Sequence, residues 1–337
     1  MSHPPDSEPR SILIIRYSAL GDVVLATSVL EPLRRRFPGA CIEWVTDGLY
    51  APLLDGLPEV ARVHKLAREG EDRATGVAAR LRGRFDLAID LQNKLRSAVV
   101  ARAAAPRRVT FRRRTPLQAA FSLLGQDPPI ARAPQPTLYA EALAPLGVEG
   151  AGPLKVNLSP QARALAADAL QGVAGPVVAL APGARWATKR WSAARFAAVA
   201  DALAAEGCRI VLCGGPSDRE AFAAFRAAAH APVAADLSFL PIDALAAALA
   251  RVQLLVACDS GPVHLATAVG TPVLALFGPT SAVRWGPPAP GRPLSLGLAC
   301  SPCSNHGGEV CPEGHHRCLA DLAPQAVIAA AREMLRR

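Results

Sequence analysis

No stretch of this 337-residue chain approaches the roughly 18 uninterrupted apolar residues of a membrane span, so any contact with a bilayer is expected to be peripheral. The N-terminal MSHPPDSEPR is polar and proline-rich and lacks the apolar core of a secretory signal. Export by that route is not expected, and the eight cysteines are expected to face a reducing cytosol. Also missing are the P-loop, GxGxxG, HExxH and GxSxG patterns. That argues against a dehydrogenase or a kinase, even where strands and helices alternate in a Rossmann-like way. Charged residues supply only 19% of the chain and hydrophobic residues 51%, which excludes disorder as the general state. The net charge of +9, its positive side almost all arginine, favours acidic partners: nucleotides, phosphorylated lipids or nucleic acid, without choosing among them.

The length suits two domains of roughly 150 residues each, with a cleft between them. SILIIRY at 11–17 reads as a first strand, followed by a helix over 20–37 in which Pro32 predicts a kink. Further strands are expected at 41–46, 60–66, 85–92 and 107–111, with helices near 72–83 and 95–105. Strands alternating with helices mean βαβ units and a mostly parallel sheet. After a proline- and glycine-rich stretch with a helix at 137–146, the alternation restarts at PVVALAPG, which places a domain boundary around 150–175. A helix over 193–206 with Ser192 as its cap, a strand over 208–215, helices over 217–229 and 241–251, and a last helix over 324–335 are expected.

The segment over 254–280, LLVACDSGPVHLATAVGTPVLALFGPT, reads as strand, turn, short helix and strand. Gly261 bares the first amides of that helix, an arrangement that suits an anion, and Asp259 is placed to cap them. Either a phosphate site or a plain helix cap fits this spacing. In SALGD at 18–22, Asp22 falls in the first turn of a helix, where the dipole favours a carboxylate; it reads as a helix-start aspartate or as a general base. Arg16, at the strand end, puts a permanent charge beside it. APGARWATKRWS at 181–192 interleaves Arg185, Lys189 and Arg190 with Trp186 and Trp191, either a phosphate clamp or a solvated loop with packing tryptophans. GGPSD at 214–218 lets a ligand approach the backbone, and Asp218 can accept from sugar hydroxyls or cap the next helix. Cys300, Cys303, Cys311 and Cys318, with His306, His315 and His316 among them, are dense enough to hold zinc, but only the first pair has metal-ligand spacing. A structural zinc, a disulfide and free thiols stay open, with a structural role favoured over a catalytic one. The run Arg107, Arg108, Arg112, Arg113 and Arg114 reads as a solvated face or a surface for anionic membrane or phosphorylated acceptor.

Taken in order, RYSALGDVVLATSVLEPLRRRFPG, DLQNKLRSA, KRW, GGPSD and CDSGPVHLATAVGTPVLALFGPT resemble the bacterial heptosyltransferases, glycosyltransferase family 9. The resemblance runs over nearly the whole chain. It implies an α/β GT-B fold, two Rossmann-like domains with parallel sheets facing a central cleft: an acceptor domain over 1–165, a nucleotide-sugar domain over 166–322, and a final helix over 323–337 returning to the first. It implies an inverting transfer of heptose from ADP-heptose to a lipid-linked or glycan acceptor of the lipopolysaccharide inner core, with no cofactor required for catalysis and no nucleic acid partner. A cytoplasmic enzyme with peripheral contact to the anionic inner membrane follows. By motif, Asp22 matches the catalytic base, Arg16 a basic residue near the donor phosphates, Lys189 the diphosphate-binding lysine, and Asp218 an acidic residue at the donor ribose. Asp259, Ser260, Gly261 and His264 match the donor loop D-[TS]-G-x-x-H. The rivals are a nucleotide-sugar epimerase of the same architecture, which needs no Asp22, and a non-enzymatic nucleotide-binding protein, which would survive loss of Asp22 and Lys189.

Overall fold

A computed structural model describes residues 8–67, 73–111 and 133–336. Residues 112–114 of the arginine run and the first seven residues of the chain lie outside them. The described residues form two units: those of Met1–Thr115 with Gln135–Asn157, and those of Pro116–Pro134 with Leu158–Arg337.

In the first unit, β1 (Ser11–Ile15), β2 (Cys41–Asp47), β3 (Arg62–Leu66), β4 (Leu87–Asp90) and β5 (Arg107–Thr110) form one sheet in the order β3-β2-β1-β4-β5. Every neighbouring pair is parallel. Beyond Ser11, β1 is apolar and buried, as a central strand covered on both faces must be. The long helix expected after it is divided into α1 (Leu20–Ala26) and α2 (Leu30–Arg36) by a tight turn at Thr27–Val29. Pro32 explains the division. It has no N–H to give the Ser28 carbonyl four residues earlier, and that carbonyl instead accepts from the Gly152 amide at 2.8 Å.

In the second unit, β6 (Val177–Ala181), β7 (Arg209–Leu212), β8 (Val233–Asp236), β9 (Leu254–Cys258), β10 (Val273–Leu276) and β11 (Arg292–Leu294) form a sheet in the order β11-β10-β9-β6-β7-β8, again all parallel. β6, β9 and β10 are buried along their whole length. Helix Ala193–Ala205 covers one face through Phe196, Val199, Ala200 and Leu203, and the C-terminal helix Pro324–Leu335 packs on that helix and on β9 with Val327, Ala330 and Ala331. Helix Pro160–Ala169, capped by the Ser159 hydroxyl on the Ala162 amide, packs against helix Ile242–Leu249. Helix Pro160–Ala169 and the strands β8 and β11 are not among the elements expected from the sequence. Ser192 does precede helix Ala193–Ala205, but its side chain makes no capping bond. No helix among the described residues is long and apolar enough to cross a membrane.

Both sheets have the Rossmann strand order, and in each the order reverses between the first strand of the unit and the fourth: β1 beside β4, and β6 beside β9. At such a reversal the loops leaving the two strands diverge, opening a crevice at their carboxyl ends where ligands of this fold bind.

Candidate active site

At the first crevice Arg16 follows β1 with only 1% of its surface exposed. Its Nη1 donates to the Leu91 carbonyl beyond β4 at 2.5 Å, and its Nη2 lies 2.6 Å from Asp22 Oδ2. Asp22 is in the first turn of α1, as expected, and Tyr139 Oη donates to its other oxygen at 3.3 Å. The Tyr139 ring, 5.8 Å from the guanidinium, adds its π face to the same cation. Burial alone would lower the Arg16 pKa, but Asp22 and Tyr139 outweigh it and the pKa is raised; a permanent cation stands there. The DLQNKLRSA motif builds the other wall. The Asp90 carboxylate, ending β4, accepts from the Gln92 and Asn93 amides and the Ser97 hydroxyl, shaping the turn into helix Leu95–Ala104. Burial nevertheless raises its pKa. Gln92 Oε1 in turn accepts from the Tyr17 and Ser18 amides, so the loop after β4 holds the loop that carries Asp22.

At the second crevice Lys189 ends a short turn, Ala187–Lys189, in the loop after β6, and Asp259 follows β9. Lys189 Nζ lies 2.8 Å from Asp259 Oδ2, which also accepts from the Thr280 hydroxyl at 2.6 Å. Asp259 is 5% exposed. Burial opposes its ionisation, yet Lys189, Thr280 and His264 hold its pKa below the ordinary carboxylate value. Asp259 therefore does not cap the following helix. A charge-assisted partner is stronger than a neutral amide, and the cap position of helix Gly261–Ala268 belongs to Ser260, whose hydroxyl donates to the Cys258 carbonyl instead. His264 is buried on that helix, its ring 6.4 Å from Trp285, which lies 6.0 Å from His306.

Asp218 sits over the ends of β6 and β7, its Oδ2 accepting from the Gly215 amide at 2.9 Å. Gly183 and Gly214 make room for it: a Cβ on Gly183 would stand 2.1 Å from Asp218 Oδ1 and 2.3 Å from its Cγ, and one on Gly214 would stand 2.7 Å from Oδ2. Of the three cations in the loop after β6, only Lys189 turns to Asp259. Arg190 Nε donates to the Ala184 carbonyl, and exposed Arg185 lies 5.2 Å over the Trp186 ring. Trp191 is a packing residue, 2% exposed and edge-on to Phe196. Arg16 and Asp22 thus stand at the crevice of the first unit, and Lys189, Asp218, Asp259, Ser260, Gly261 and His264 around that of the second.

All eight cysteines are free. Cys300, Cys303, Cys311 and Cys318 line one pocket of 270 Å³, with Cys300 Sγ 4.0 Å from His315 Nε2, but among the described residues no three His, Cys, Asp or Glu side chains gather to hold a metal ion. Of the three alternatives open for this segment, the structure holds the thiols free, with no disulfide and no such cluster among the described residues. Sequence reasoning also missed Tyr139, Gln92, Thr280 and Gly183. Gln92, Thr280 and Gly183 lie inside quoted motifs. Tyr139 had no signal, being brought to Asp22 only by the tertiary fold.

The family model for glycosyltransferase family 9 (heptosyltransferase) matches residues 75–313. The chain is 28% identical over 350 residues to lipopolysaccharide heptosyltransferase 2 of Escherichia coli, across 94% of this chain and 96% of that protein. It is 31% identical over 342 residues to lipopolysaccharide heptosyltransferase 1 of Pseudomonas aeruginosa, across 92% and 91%. The solved structure of E. coli ADP-heptose lps heptosyltransferase II matches with a TM-score of 0.74 at 24% identity, over 96% of this chain and 98% of that one. The fold is GT-B.

Proposed function

Because this chain belongs to glycosyltransferase family 9, the heptosyltransferases, and is a glycosyltransferase, we propose that it moves a heptose from ADP-heptose to a lipid-linked glycan of the lipopolysaccharide inner core, with inversion. One observation carries the reading: a carboxylate held by Arg16 and Tyr139 stands at the crevice of one sheet, and a lysine paired with a buried carboxylate stands at that of the other. Asp22 takes the proton of the acceptor hydroxyl as it attacks the anomeric carbon, and ADP departs from the opposite face. The transition state is oxocarbenium-like, so the hydroxyl grows acidic as the new bond forms, and a carboxylate suffices as base. Arg16 fixes the orientation of Asp22 and adds positive charge toward the donor phosphates. Lys189 and the amides beginning at Gly261 meet the charge that grows on the departing diphosphate. Asp218 receives the ribose hydroxyls, and His264 completes the donor loop with Asp259 and Ser260. In this reading no metal cofactor takes part in the transfer. The enzyme works in the cytoplasm at the inner membrane, where the exposed Arg107 and Arg108 suit an anionic surface.

The epimerase and binding-protein alternatives are not favoured, since the family and the relatives above are heptosyltransferases. The test is thermal protection by ADP-heptose, GDP-sugars and UDP-sugars, followed by ADP release on adding a heptose-free inner-core acceptor. Protection by ADP-heptose with acceptor-dependent ADP release is expected. Protection by another nucleotide-sugar alone would refute the donor assignment, and ADP release without glycan product would refute the transfer.

A further inference from the structure

The cysteine-rich segment is bound to the loop that carries Lys189, and the contacts converge on one residue beside it. Thr188 is 5% exposed. Its amide donates to the Gly308 carbonyl at 3.0 Å, its hydroxyl donates to the same carbonyl at 2.8 Å and accepts from the Gly308 amide at 2.8 Å, and its carbonyl meets His316 Nε2 at 2.6 Å. Every polar atom of Thr188 is thus engaged by residues 308 and 316. One residue earlier in the segment, Gly307 lies against the stem of Lys189: a Cβ there would stand 2.8 Å from Lys189 Cγ and Cδ and 3.0 Å from Trp186 Cβ, and its φ of +88° already favours glycine. The turn that presents Gly307 is closed by Ser304, whose hydroxyl accepts from the Gly307 amide at 2.9 Å. Further back, the segment is tied to the loop after β10, where the Cys303 and Ser304 amides donate to the Pro279 carbonyl.

A lysine stem has four rotatable bonds, and fixing it beside Asp259 costs side-chain entropy unless neighbouring atoms remove the alternatives. The backbone at Gly307 removes them from one side, and the grip on Thr188 fixes the turn from which the stem leaves. We propose that Thr188 is a positioning residue of the donor site, acting through Lys189, and that Gly308 and His316 make the cysteine-rich segment part of that site rather than a staple apart from it. The proposal rests on the reading of Lys189 as a diphosphate ligand.

The experiment is calorimetric titration of the full-length protein with ADP, well below its melting temperature. Thr188→Val keeps the shape and removes the hydroxyl; it is expected to weaken ADP about tenfold, the weight of a lost buried hydrogen-bond pair. Thr188→Ser, which keeps the hydroxyl, is expected to bind as the unaltered protein does. In the Lys189→Ala background Thr188→Val should have no further effect, because a residue acting through the lysine has nothing left to act on. His316→Asn, which tolerates the left-handed backbone at that position (φ +50°) but cannot extend to the Thr188 carbonyl, serves where Thr188→Val does not fold, with the same expected direction and the same dependence on Lys189. A merely structural role would lower the melting temperature and leave the ADP affinity of folded protein unchanged, and that result overturns the proposal, as does an equal loss with and without Lys189. If Lys189→Ala itself binds ADP normally, the donor-site reading fails instead.

Discussion

Removing Lys189 orphans a carboxylate, and the consequences separate stability from ligand binding. In Lys189→Ala, Asp259 keeps the Thr280 hydroxyl and the nearby His264 but loses its ionic partner, at 5% exposure. Breaking a buried ion pair from one side costs about 3–5 kcal/mol, and at about 2–4 °C per kcal/mol for a domain of this size the melting temperature is expected to fall by roughly 10 °C at pH 7.5. In the intact protein Asp259 titrates below its unfolded value, so its contribution to stability is present above about pH 4 and is lost only as pH falls through the lowered folded pKa. Without Lys189 the opposing effect of burial is left largely uncompensated, the folded pKa rises above the unfolded one, and acidification relieves the penalty as the folded carboxyl takes up its proton. The deficit should therefore shrink between pH 7.5 and pH 5. Adding Asp259→Asn to Lys189→Ala should restore much of the melting temperature at pH 7.5 but none of the affinity for ADP. Thermal unfolding of the three proteins at the two pH values, with ADP calorimetry, measures all of this. A double variant no more stable than Lys189→Ala, together with a deficit that does not change with pH, would refute the reasoning.

Asp22→Asn is expected to leave donor affinity within a few-fold while lowering turnover by about two to four orders of magnitude, the weight of a general base; turnover close to normal by ADP release would assign the base elsewhere. Gly183→Ala is expected to drive Asp218 from its place over β6, since the new methyl meets its Oδ1, Cγ and Cβ, and to weaken ADP by about tenfold. In an Asp218→Ala background the same substitution should cost ADP affinity little. Trp191→Ala should cost about 3–5 kcal/mol of stability, because the indole is in the second unit's core and its Nε1 donates to the Leu322 carbonyl, as read from denaturant midpoints.

Much of this was legible in the chain, and the parts that were not have physical causes. One wall of the second crevice lies within continuous sequence: β9, Asp259, the helix and β10 follow one another, so local pattern and turn chemistry suffice to find them. The first crevice needs Tyr139 and Gln92, which reach the loop after β1 only through tertiary packing. β8, with sequence VAAD, and β11, with sequence RPL, are short edge strands. Alanine and aspartate have low strand propensity, and proline is tolerated at an edge but argues against a strand when seen alone. Helix Pro160–Ala169 did carry a start signal, a serine before a proline, but it stands at the end of a proline-rich stretch that reads as linker. The spacing leaves Asp259 open between a cap and a phosphate site because it shows the neighbouring amides and not the lysine that the fold brings from the loop after β6.

The two units share one strand order and place different chemistry at equivalent positions in it. In each, the loop after the first strand carries a charged side chain and the loop after the fourth supplies its anchor. In the first unit the anchor of Arg16 is a backbone carbonyl, Leu91, which leaves part of the guanidinium to Asp22. In the second the anchor of Lys189 is a whole carboxylate, Asp259. The difference fits the roles proposed for Asp22 and Lys189. A catalytic carboxylate has to remain accessible, and Asp22 keeps 19% of its side chain exposed. A phosphate ligand has to be held without being consumed: an ammonium has three donors, so Asp259 can orient Lys189 with one and leave the others to a diphosphate. Asp259→Asn alone separates orientation from charge. The lysine keeps its full charge and loses its ionic anchor, so ADP should bind no more tightly than before, although an anion has been removed from beside the phosphate site. Tighter binding would mean that Asp259 competes with the diphosphate for Lys189 rather than presenting it.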